Sequence, residues 1–221
     1  MAPRPLQSAR KGAAPGQARS VVIFLHGYGA NGADLLGLAD PLAPHLPHTA
    51  FYAPDAPEPC QGNPFGFQWF PIPWLDGSSE DAARDGTRQA RADINAFIDQ
   101  VLQDEGLPAS ALALVGFSQG TMMSLEVAPR RAEALAAVVG FSGRLLDAEA
   151  LTTEGGTRPP VLLIHGDADP MVPVQSLPEA ADALVKAGFE TYAHVCKGLG
   201  HSIDQEGLSL ALGFLHEKLP A

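Results

Sequence analysis

The sequence predicts an α/β domain in which a mostly parallel sheet is doubly wound, with helices on both of its faces. Two observations lead to this prediction. Apolar runs of strand length recur along the chain, and an uninterrupted apolar strand is typical of a parallel sheet that is covered on both sides. Helical patterns of apolar residues lie between these runs, so strands and helices alternate up to the C-terminus.

Six segments are predicted strands. The four clearest are the apolar runs at residues 21–25, 112–115, 135–139 and 161–164. Two weaker candidates are residues 49–53 and 190–195. All six are short enough to cross one sheet, and all are separated by Gly- and Pro-containing turns.

The predicted helices are marked by apolar stripes with helical spacing and by their end signals. The first stripe consists of Ile94, Phe97, Ile98, Val101 and Leu102, and Gly106 follows it as a terminator. A second helix is predicted at residues 119–128. Residues 176–179 (Ser-Leu-Pro-Glu) match a capping box at the start of a third helix, which Gly188 ends. The last stripe consists of Leu208, Ala211, Leu212 and Leu215.

The charge of the chain is unevenly distributed. It has 14 basic and 25 acidic residues, a net charge of −11, and 46% of its residues are hydrophobic. Residues 1–19 hold four basic residues and no acidic one, so the remainder is strongly acidic. An acidic body repels a phosphate backbone, and nucleic acid is therefore not an expected partner. Because the first 19 residues are also rich in Pro and Gly, they are predicted to form a flexible basic tail, followed by a single domain at residues 20–221.

Composition and spacing exclude further classes of protein. No run of 18 apolar residues is present, so no membrane span is predicted. The two cysteines, Cys60 and Cys196, cannot form a disulfide framework, and free thiols favour a cytoplasmic protein. No His, Cys or Asp spacing indicates a zinc or iron site. We therefore expect neither a cofactor nor a metal.

A nucleophile motif follows the predicted strand at residues 112–115. Gly116-Phe-Ser-Gln-Gly120 matches G-x-S-x-G, with a strand before it and a helix after it. Small residues are needed around the serine because the turn is tight and the backbones pass closely. The turn would raise the Ser118 hydroxyl above the sheet edge, at a helix N-terminus that favours developing negative charge.

A serine hydroxyl needs a base, and an acid must orient that base. His201 lies in the loop between the last predicted strand and the last helix, where open α/β sheets build their sites, and it is the predicted base. His194 lies within a predicted strand and His216 on the last helix, so both fit this role less well. Two carboxylates just past the strand at residues 161–164, Asp167 and Asp169, are candidates for the acid.

The loop after the first strand, Leu25-His-Gly-Tyr-Gly29, fits part of an oxyanion hole. Acyl transfer requires two preorganised amides, of which one is expected at Gln119 and the other in this loop, where glycines allow close approach. Gly27, Gly29 and Gly32 also spell G-x-G-x-x-G, the fingerprint of dinucleotide-binding proteins. Asp34, in the first turn of the helix that follows, would repel a pyrophosphate. A nucleotide-binding oxidoreductase is therefore the distant alternative.

Residues 56–79 interrupt the alternation of strands and helices. This stretch is rich in Pro and Gly and carries five large aromatic residues: Phe65, Phe67, Trp69, Phe70 and Trp74. A long aromatic loop of this kind is either a satellite hydrophobic cluster or a wall for an apolar substrate.

Together these segments resemble the small α/β-hydrolases of the carboxylesterase/phospholipase family, which includes bacterial esterases and acyl-protein thioesterases. The matching segments are Leu25-His-Gly-Tyr-Gly29, Trp69-Phe70, Gly116-Phe-Ser-Gln-Gly120, His165-Gly-Asp-Ala-Asp-Pro-Met-Val-Pro173 and Gly200-His201. The resemblance implies the α/β-hydrolase fold without a large cap domain. Residues 67–74 are richer in Pro and aromatic residues than is expected of the thioesterases, which favours the bacterial esterases.

The resemblance also implies a role for each matching residue. The implied catalytic residues are Ser118 as nucleophile, Asp169 as acid and His201 as base. The amides of Tyr28 and Gln119 would form the oxyanion hole. The implied walls of the acyl pocket are Trp69 and Phe70 on one side, with Met171 and Val172 on the other.

The expected activity is that of a metal-free serine carboxylesterase, which hydrolyses short- to medium-chain esters through an acyl-enzyme intermediate. The alternative keeps the triad and changes the acyl donor to a lysophospholipid or an acyl thioester on protein. The resemblance also implies a homodimer as one oligomeric state, because members of the family are often dimers.

Overall fold

The computed structural model describes residues 2–60, 63–154 and 156–220. The strands within these residues are β1 (Ser8–Gly12), β2 (Ser20–Leu25), β3 (Thr49–Pro54), β4 (Glu58–Cys60), β5 (Asn63–Gln68), β6 (Leu112–Phe117), β7 (Ala137–Phe141), β8 (Val161–Gly166) and β9 (Thr191–Cys196). The helices are α1 (Gly32–Leu36), α2 (Ala39–Leu42), α3 (Pro73–Asp76), α4 (Glu80–Glu105), α5 (Gln119–Val127), α6 (Ala150–Thr153), α7 (Ser176–Lys186) and α8 (Gln205–Lys218). Among the residues described, no helix combines the length and the apolar character that crossing a bilayer requires.

Seven strands form the central sheet, in the order β1-β3-β2-β6-β7-β8-β9. β1 runs antiparallel to β3, and the other neighbours are parallel. All six strands predicted from the sequence belong to this sheet, and the mostly parallel α/β prediction is confirmed. β7 begins two residues later than predicted, because residues 135 and 136 lead into the strand.

The core lies on both faces of the sheet, because alternate residues of each buried strand point to opposite sides. Val21 and Ile23 of β2 belong to the cluster that α4, α5 and α7 cover. Val22 and Phe24 belong to the cluster on the other face, with α1, α2 and α8. Burial on both sides explains why these strands are continuous apolar runs.

The prediction of a loose basic tail is wrong for residues 8–12. These residues form β1, an edge strand that pairs with β3 from Ser8 opposite Pro54 to Gly12 opposite Ala50. β1 is mostly exposed and carries no apolar alternation, so the pattern that identifies buried strands could not reveal it. Its basic side chain Arg10 donates to the buried carboxylate of Glu105 on α4 at 2.8 Å. The positive charge of the N-terminal segment therefore serves pairing within the fold.

The predicted capping box at residues 176–179 is also wrong. α7 begins at Ser176, and its cap is Gln175, whose backbone is already helical and whose side chain makes no capping bond. Ser176 therefore lacks the extended backbone that a capping serine requires. A capping box is present instead at α1, where Asn31 and Asp34 each accept the other's amide at 3.1 Å.

The aromatic stretch at residues 56–79 forms a small unit of its own within its described residues. β4 and β5 pair antiparallel in a two-stranded sheet, and α3 follows. Phe67 of β5 bridges to Ala30, so this unit lies against the loop that follows β2. The parallel strands β2, β6, β8 and β9 all point their carboxyl ends toward the edge where that loop lies, which is where a site is expected.

Candidate active site

Ser118 lies between β6 and α5 in a strained turn. Its φ of 54° and ψ of −115° place an L-residue in a region that usually requires glycine. The Ser118 amide donates to the Phe141 carbonyl at 2.9 Å, which ties the turn to β7. Such strain persists where the surrounding structure holds it, and it raises the side chain above the sheet edge.

The two glycines of the motif are required by close backbone contacts. A Cβ on Gly120 would lie 1.8 Å from the Leu25 carbonyl oxygen, and one on Gly116 would lie 2.4 Å from the Thr121 amide nitrogen. Both contacts are with backbone, which cannot yield. The spacing of the motif is therefore a consequence of how tightly α5 crosses β2 and β6.

His201 and Asp169 are brought together at this edge. His201 Nδ1 donates to Asp169 Oδ2 at 2.7 Å, and the Asp169 side chain is fully buried. The other carboxylate oxygen accepts the amides of Met171 at 2.8 Å and Val172 at 2.9 Å. Burial alone would raise the pKa of the Asp169 carboxyl, but the hydrogen bonds from His201 and the two amides outweigh it and hold that pKa below its usual range. The group is therefore a carboxylate at neutral pH.

The ring of His201 packs on Phe117, with the centroids 4.8 Å apart. Phe117 directly precedes Ser118, so the histidine loop lies beside the serine turn. The loop that carries His201 is held by Asp167, whose carboxylate accepts the Gly198 amide at 2.6 Å. The two candidate carboxylates thus have different partners: Asp169 binds the histidine ring, and Asp167 binds the backbone of the histidine loop.

A second histidine lies beside Asp169. It is His165, one of the four histidines downstream of Ser118 that the sequence offers as a base, and the sequence analysis gave it no positioning role. His165 is buried, its Nε2 lies 2.9 Å from the Val172 carbonyl oxygen, and the same nitrogen lies 3.4 Å from Asp169 Oδ2. It closes the turn that carries the carboxylate. The available signal was a polar residue at the end of the buried strand β8.

The loop after β2 passes directly over the serine turn. A Cβ on Gly27 would lie 3.2 Å from Phe117 Cδ1 and 3.3 Å from the Ser118 Cβ, so a side chain here would have to displace the serine turn slightly. The Gly29 amide donates to the Phe67 carbonyl at 2.9 Å, so the loop is held from the other side by β5. Tyr28 therefore lies on a backbone that is fixed on both sides of it.

His26 orients this loop from beneath, and the sequence analysis did not identify it either. Its Nε2 accepts the Ala56 amide at 2.9 Å, so Nδ1 carries the proton and donates to the Gly27 carbonyl at 2.8 Å. Burial lowers the pKa of His26, and the ring is neutral. A neutral, doubly hydrogen-bonded ring under a glycine loop positions backbone without adding charge.

The Gln119 side chain links α5 to the aromatic stretch. Its Oε1 accepts the Trp69 amide at 2.8 Å, and its Nε2 donates to the Phe70 carbonyl at 2.7 Å. Its backbone amide is the first of α5, one of the four at a helix N-terminus that have no intrahelical acceptor.

Three of the four residues predicted to wall the acyl pocket are buried. Trp69 is fully buried in the core, and its indole donates to the His26 carbonyl at 2.9 Å. Phe70 and Val172 are also buried, whereas Met171 is 56% exposed. The large exposed apolar side chains of the aromatic stretch are instead Phe65, at 85%, Trp74, at 61%, and Leu75, at 49%.

A surface groove of about 450 Å³ lies between α3, α4 and the loop after β7. Trp74 and Arg144 line it, and the Arg144 guanidinium stands 4.6 Å from the centre of the Trp74 ring. Arg144 follows Gly143, whose Cβ would lie 3.0 Å from the Ser118 carbonyl oxygen. One lining residue of the groove is thus next in sequence to a residue that packs on the serine turn, and nothing in the spacing of the sequence indicated the groove.

The dinucleotide fingerprint has no binding geometry here. α1 is only five residues long, the Gly32 amide donates to Asp55 at 2.7 Å, and the Asp34 amide donates to Asn31. The amides that would bind a pyrophosphate are thus already bonded, and two carboxylates lie among them. Among the described residues, one group could hold a metal ion, and it lies apart from the serine turn: His194, Cys196 and Glu206.

A strained serine at a strand-to-helix turn, above the carboxyl edge of a mostly parallel sheet, is the arrangement of the α/β-hydrolases. Comparison with known sequences identifies the family within this class of proteins. The model of the phospholipase/carboxylesterase family matches residues 12–219, and the chain belongs to this family.

The relatives of the chain include esterases and thioesterases. It is 32% identical over 208 residues to the esterase YpfH of Escherichia coli, which covers 92% of this chain and 84% of that protein. It is 30% identical over 233 residues to acyl-protein thioesterase 1 of Kluyveromyces lactis, covering 97% and 99%. The crystal structure of esterase PE8 matches with a TM-score of 0.92 and 41% identity over 98% of this chain and all of that one. The predicted α/β-hydrolase fold and the predicted class, a carboxylic ester hydrolase, are confirmed.

Proposed function

We propose that this protein is a serine carboxylesterase that hydrolyses short- to medium-chain esters through an acyl-enzyme intermediate. The observation that carries the proposal is the 2.7 Å bond between His201 and Asp169 beside the strained turn of Ser118. A buried carboxylate on Nδ1 orients the imidazole and leaves Nε2 to act on the serine hydroxyl.

In the first half-reaction the Ser118 Oγ attacks the carbonyl carbon of the ester, and its proton passes to His201 Nε2. Asp169 stabilises the imidazolium through Nδ1. The tetrahedral oxyanion accepts the amides of Gln119, at the start of α5, and of Tyr28, in the loop held by Phe67 and His26. The C–O bond to the alcohol breaks, and His201 returns the proton to the leaving alkoxide.

In the second half-reaction water replaces the alcohol. His201 removes a proton from the water as it attacks the acyl carbon, the oxyanion forms again, and Ser118 leaves with the proton. The products are a carboxylic acid and the free enzyme. Apart from the ester and water, every group in these steps belongs to the chain, so the proposed mechanism uses no metal and no cofactor.

The burial of Trp69, Phe70 and Val172 supports the preference for short to medium chains. With these side chains in the core, we assign the acyl chain to the exposed apolar side chains of Phe65, Trp74 and Met171, here called the rim. Each CH₂ that the rim covers adds about 0.8 kcal/mol of binding until the rim ends. We expect kcat/KM for nitrophenyl esters to rise over the first few carbons and then to level off or fall.

The nucleophile is tested by covalent labelling. A fluorophosphonate probe should label the protein, and Ser118→Ala should lose the label and at least about four orders of magnitude in kcat. Ser209→Ala, an exposed serine on α8, is the matched control and should keep both. Hydrolysis near the wild-type rate by Ser118→Ala would refute the serine mechanism.

The acyl-protein thioesterase relatives favour a second candidate, hydrolysis of an acyl thioester with the same residues. A thioester and an oxygen ester with the same acyl chain separate the two. The carboxylesterase proposal predicts the higher kcat/KM for the oxygen ester and no gain with palmitoyl chains. A steady rise to palmitoyl would favour the thioesterase or a lysophospholipase.

We also place the protein in the cytoplasm. The support is that Cys60 and Cys196 are both free and buried, as thiols of a reducing compartment are.

A further inference from the structure

Three possible metal ligands meet at the end of β9 and the start of α8. His194 and Cys196 are two residues apart on β9 and share a face of the strand. Glu206 lies in the first turn of α8. Each of the three side chains offers one ligand atom, and these three atoms all lie within 4.8 Å of one another. We propose that His194, Cys196 and Glu206 form a binding site for a divalent ion that accepts thiolate and imidazole ligands, with Zn²⁺ as the ion that this set of donors fits.

The donor set decides the type of ion. A thiolate is disfavoured by Mg²⁺ and Ca²⁺, which take oxygen ligands, whereas Zn²⁺ binds sulfur, imidazole and carboxylate together. The mixture of one of each differs from the exposed acidic clusters that many proteins carry. This set of donors is also distinct from the catalytic triad, which contains no cysteine.

The geometry needs little adjustment. His194 Nε2 and Glu206 Oε1 are already 2.7 Å apart, so both side chains point to the same place. A tetrahedral zinc with bonds of about 2.0 to 2.3 Å holds its ligands about 3.5 Å apart. The His194 and Glu206 atoms must therefore open by about 1 Å, and a pair near the 4.8 Å limit must close by about 1 Å. The exposed Glu206 side chain can rotate to supply part of this change.

The surroundings favour a cation. Asp204 is the N-cap of α8: it accepts the Gly207 amide at 2.8 Å, and it also contacts the Cys196 thiol. When Cys196 loses its proton, the S–H bond to Asp204 is lost, and three anionic groups, Cys196, Glu206 and Asp204, would lie around the ion, whose positive charge offsets their mutual repulsion. These charges also offset the positive end of the α8 dipole.

The position of the site gives it a consequence. Cys196 and Glu206 stand at the two ends of the loop that carries His201. An ion bound by both would cross-link β9 to α8 and would restrain that loop without touching His201 or Asp169. Binding to the folded state alone raises stability, by an amount set by the ratio of ion concentration to Kd.

Cobalt is the probe for the thiolate. Addition of Co²⁺ to the reduced full-length protein should give a sulfur-to-cobalt charge-transfer band and the intense visible bands of a tetrahedral site, at one ion per chain. Cys196→Ser should abolish the charge-transfer band, whereas Cys60→Ser, at the other buried free thiol, should keep it. Absence of the band in the wild type, or its persistence in Cys196→Ser, would overturn the proposal.

Because Cys196 is fully buried, the exposed ligand provides a test that does not depend on refolding of the core. Glu206→Gln should weaken Zn²⁺ binding by at least about tenfold in calorimetry. Glu217→Gln, another exposed carboxylate on α8, should leave it unchanged. Saturating Zn²⁺ should raise the Tm of the wild type by roughly 5 °C or more, and by much less in Glu206→Gln. Equal affinities in both variants would contradict the assignment.

Discussion

Two carboxylates that follow β8 within three residues of its end have separate tasks. Asp169 is buried against the ring of His201, and Asp167 is exposed and bonded to the Gly198 amide. Both are candidate acids in the sequence, and two arguments favour Asp169: Pro170 biases the residue before it toward extended backbone, and the resemblance to the family selects the Asp before Pro. The structure adds the reason why one position is suited to the ring: the amides of Met171 and Val172 turn back onto the Asp169 carboxylate and hold it in one orientation.

The first prediction separates these two aspartates. Asp169→Asn should lower kcat by roughly four orders of magnitude, because an amide holds the wrong tautomer of His201. Asp167→Asn keeps an acceptor for the Gly198 amide, and it should cost about 1 kcal/mol of stability or less. Steady-state kinetics and thermal melts on both variants decide the question, and an inactive Asp167→Asn beside an active Asp169→Asn would reverse the assignment.

The second prediction concerns the pH dependence that Asp169 imparts. Its pKa in the folded protein lies below the ordinary value of 3.8, so its ionised form stabilises the fold above that pH, and the contribution is lost as pH falls through the lower folded value. Urea unfolding should show a constant stability deficit of Asp169→Asn at neutral pH, and a deficit that shrinks below about pH 4. A deficit that grows toward acid pH would have the wrong sign for this carboxylate.

At the scale of the elements, the serine turn could be predicted because its cause is local. A glycine on each side of Ser118, a buried strand before it and a helix after it are all visible in the chain. The histidine loop was predictable for the same reason. The burial of the Trp69 side chain could not be predicted in this way, because it depends on hydrogen bonds to the His26 carbonyl and the Gln119 side chain, which are 43 and 50 residues away in the sequence. The strand β1 was missed because its partner is a backbone edge and its side chains carry no apolar pattern.

The third prediction tests how closely α5 crosses β2. Gly120→Ala places a Cβ 1.8 Å from the Leu25 carbonyl oxygen, and it should cost about 3 kcal/mol or more, with loss of activity. Gly213→Ala is the matched control, since it lies on α8 with no atom within 4 Å of the new methyl group. That variant should be neutral or up to about 1 kcal/mol more stable. Chemical denaturation measures both, and similar stabilities would show that α5 can shift away from β2.

At the scale of the whole molecule, the N-terminal segment connects distant parts of the chain. β1 extends the sheet at its β3 edge, Arg4 reaches Asp93, and Arg10 reaches Glu105, both on α4. Neither carboxylate side chain is exposed by more than 3%. That the chain folds as one domain and that it forms a homodimer both stay predictions.

The fourth prediction follows from these ion pairs. Arg10→Gln should cost about 2 kcal/mol or more, because it leaves the buried carboxylate of Glu105 without its cation. Lys11 lies on the same strand as Arg10, and Lys11→Gln breaks an exposed pair with Asp40 of α2, so it should cost less than about 1 kcal/mol. Thermal melts of the two variants compare them directly. Equal effects would mean that the N-terminal segment contributes little beyond its strand pairing.

The Gln119 side chain has a consequence for anyone who would redesign the substrate range of this protein. One residue supplies both the first amide of α5 and the two hydrogen bonds that hold Trp69 and Phe70. Both bonds end on backbone atoms, the Trp69 amide and the Phe70 carbonyl, so a library that varies the side chains at residues 69 and 70 keeps them, whereas a library that varies Gln119 would release the aromatic stretch and disturb turnover together with selectivity. Phe65, Trp74 and Met171 have no such tie to Gln119, so mutational diversity at these three positions can alter selectivity at constant turnover.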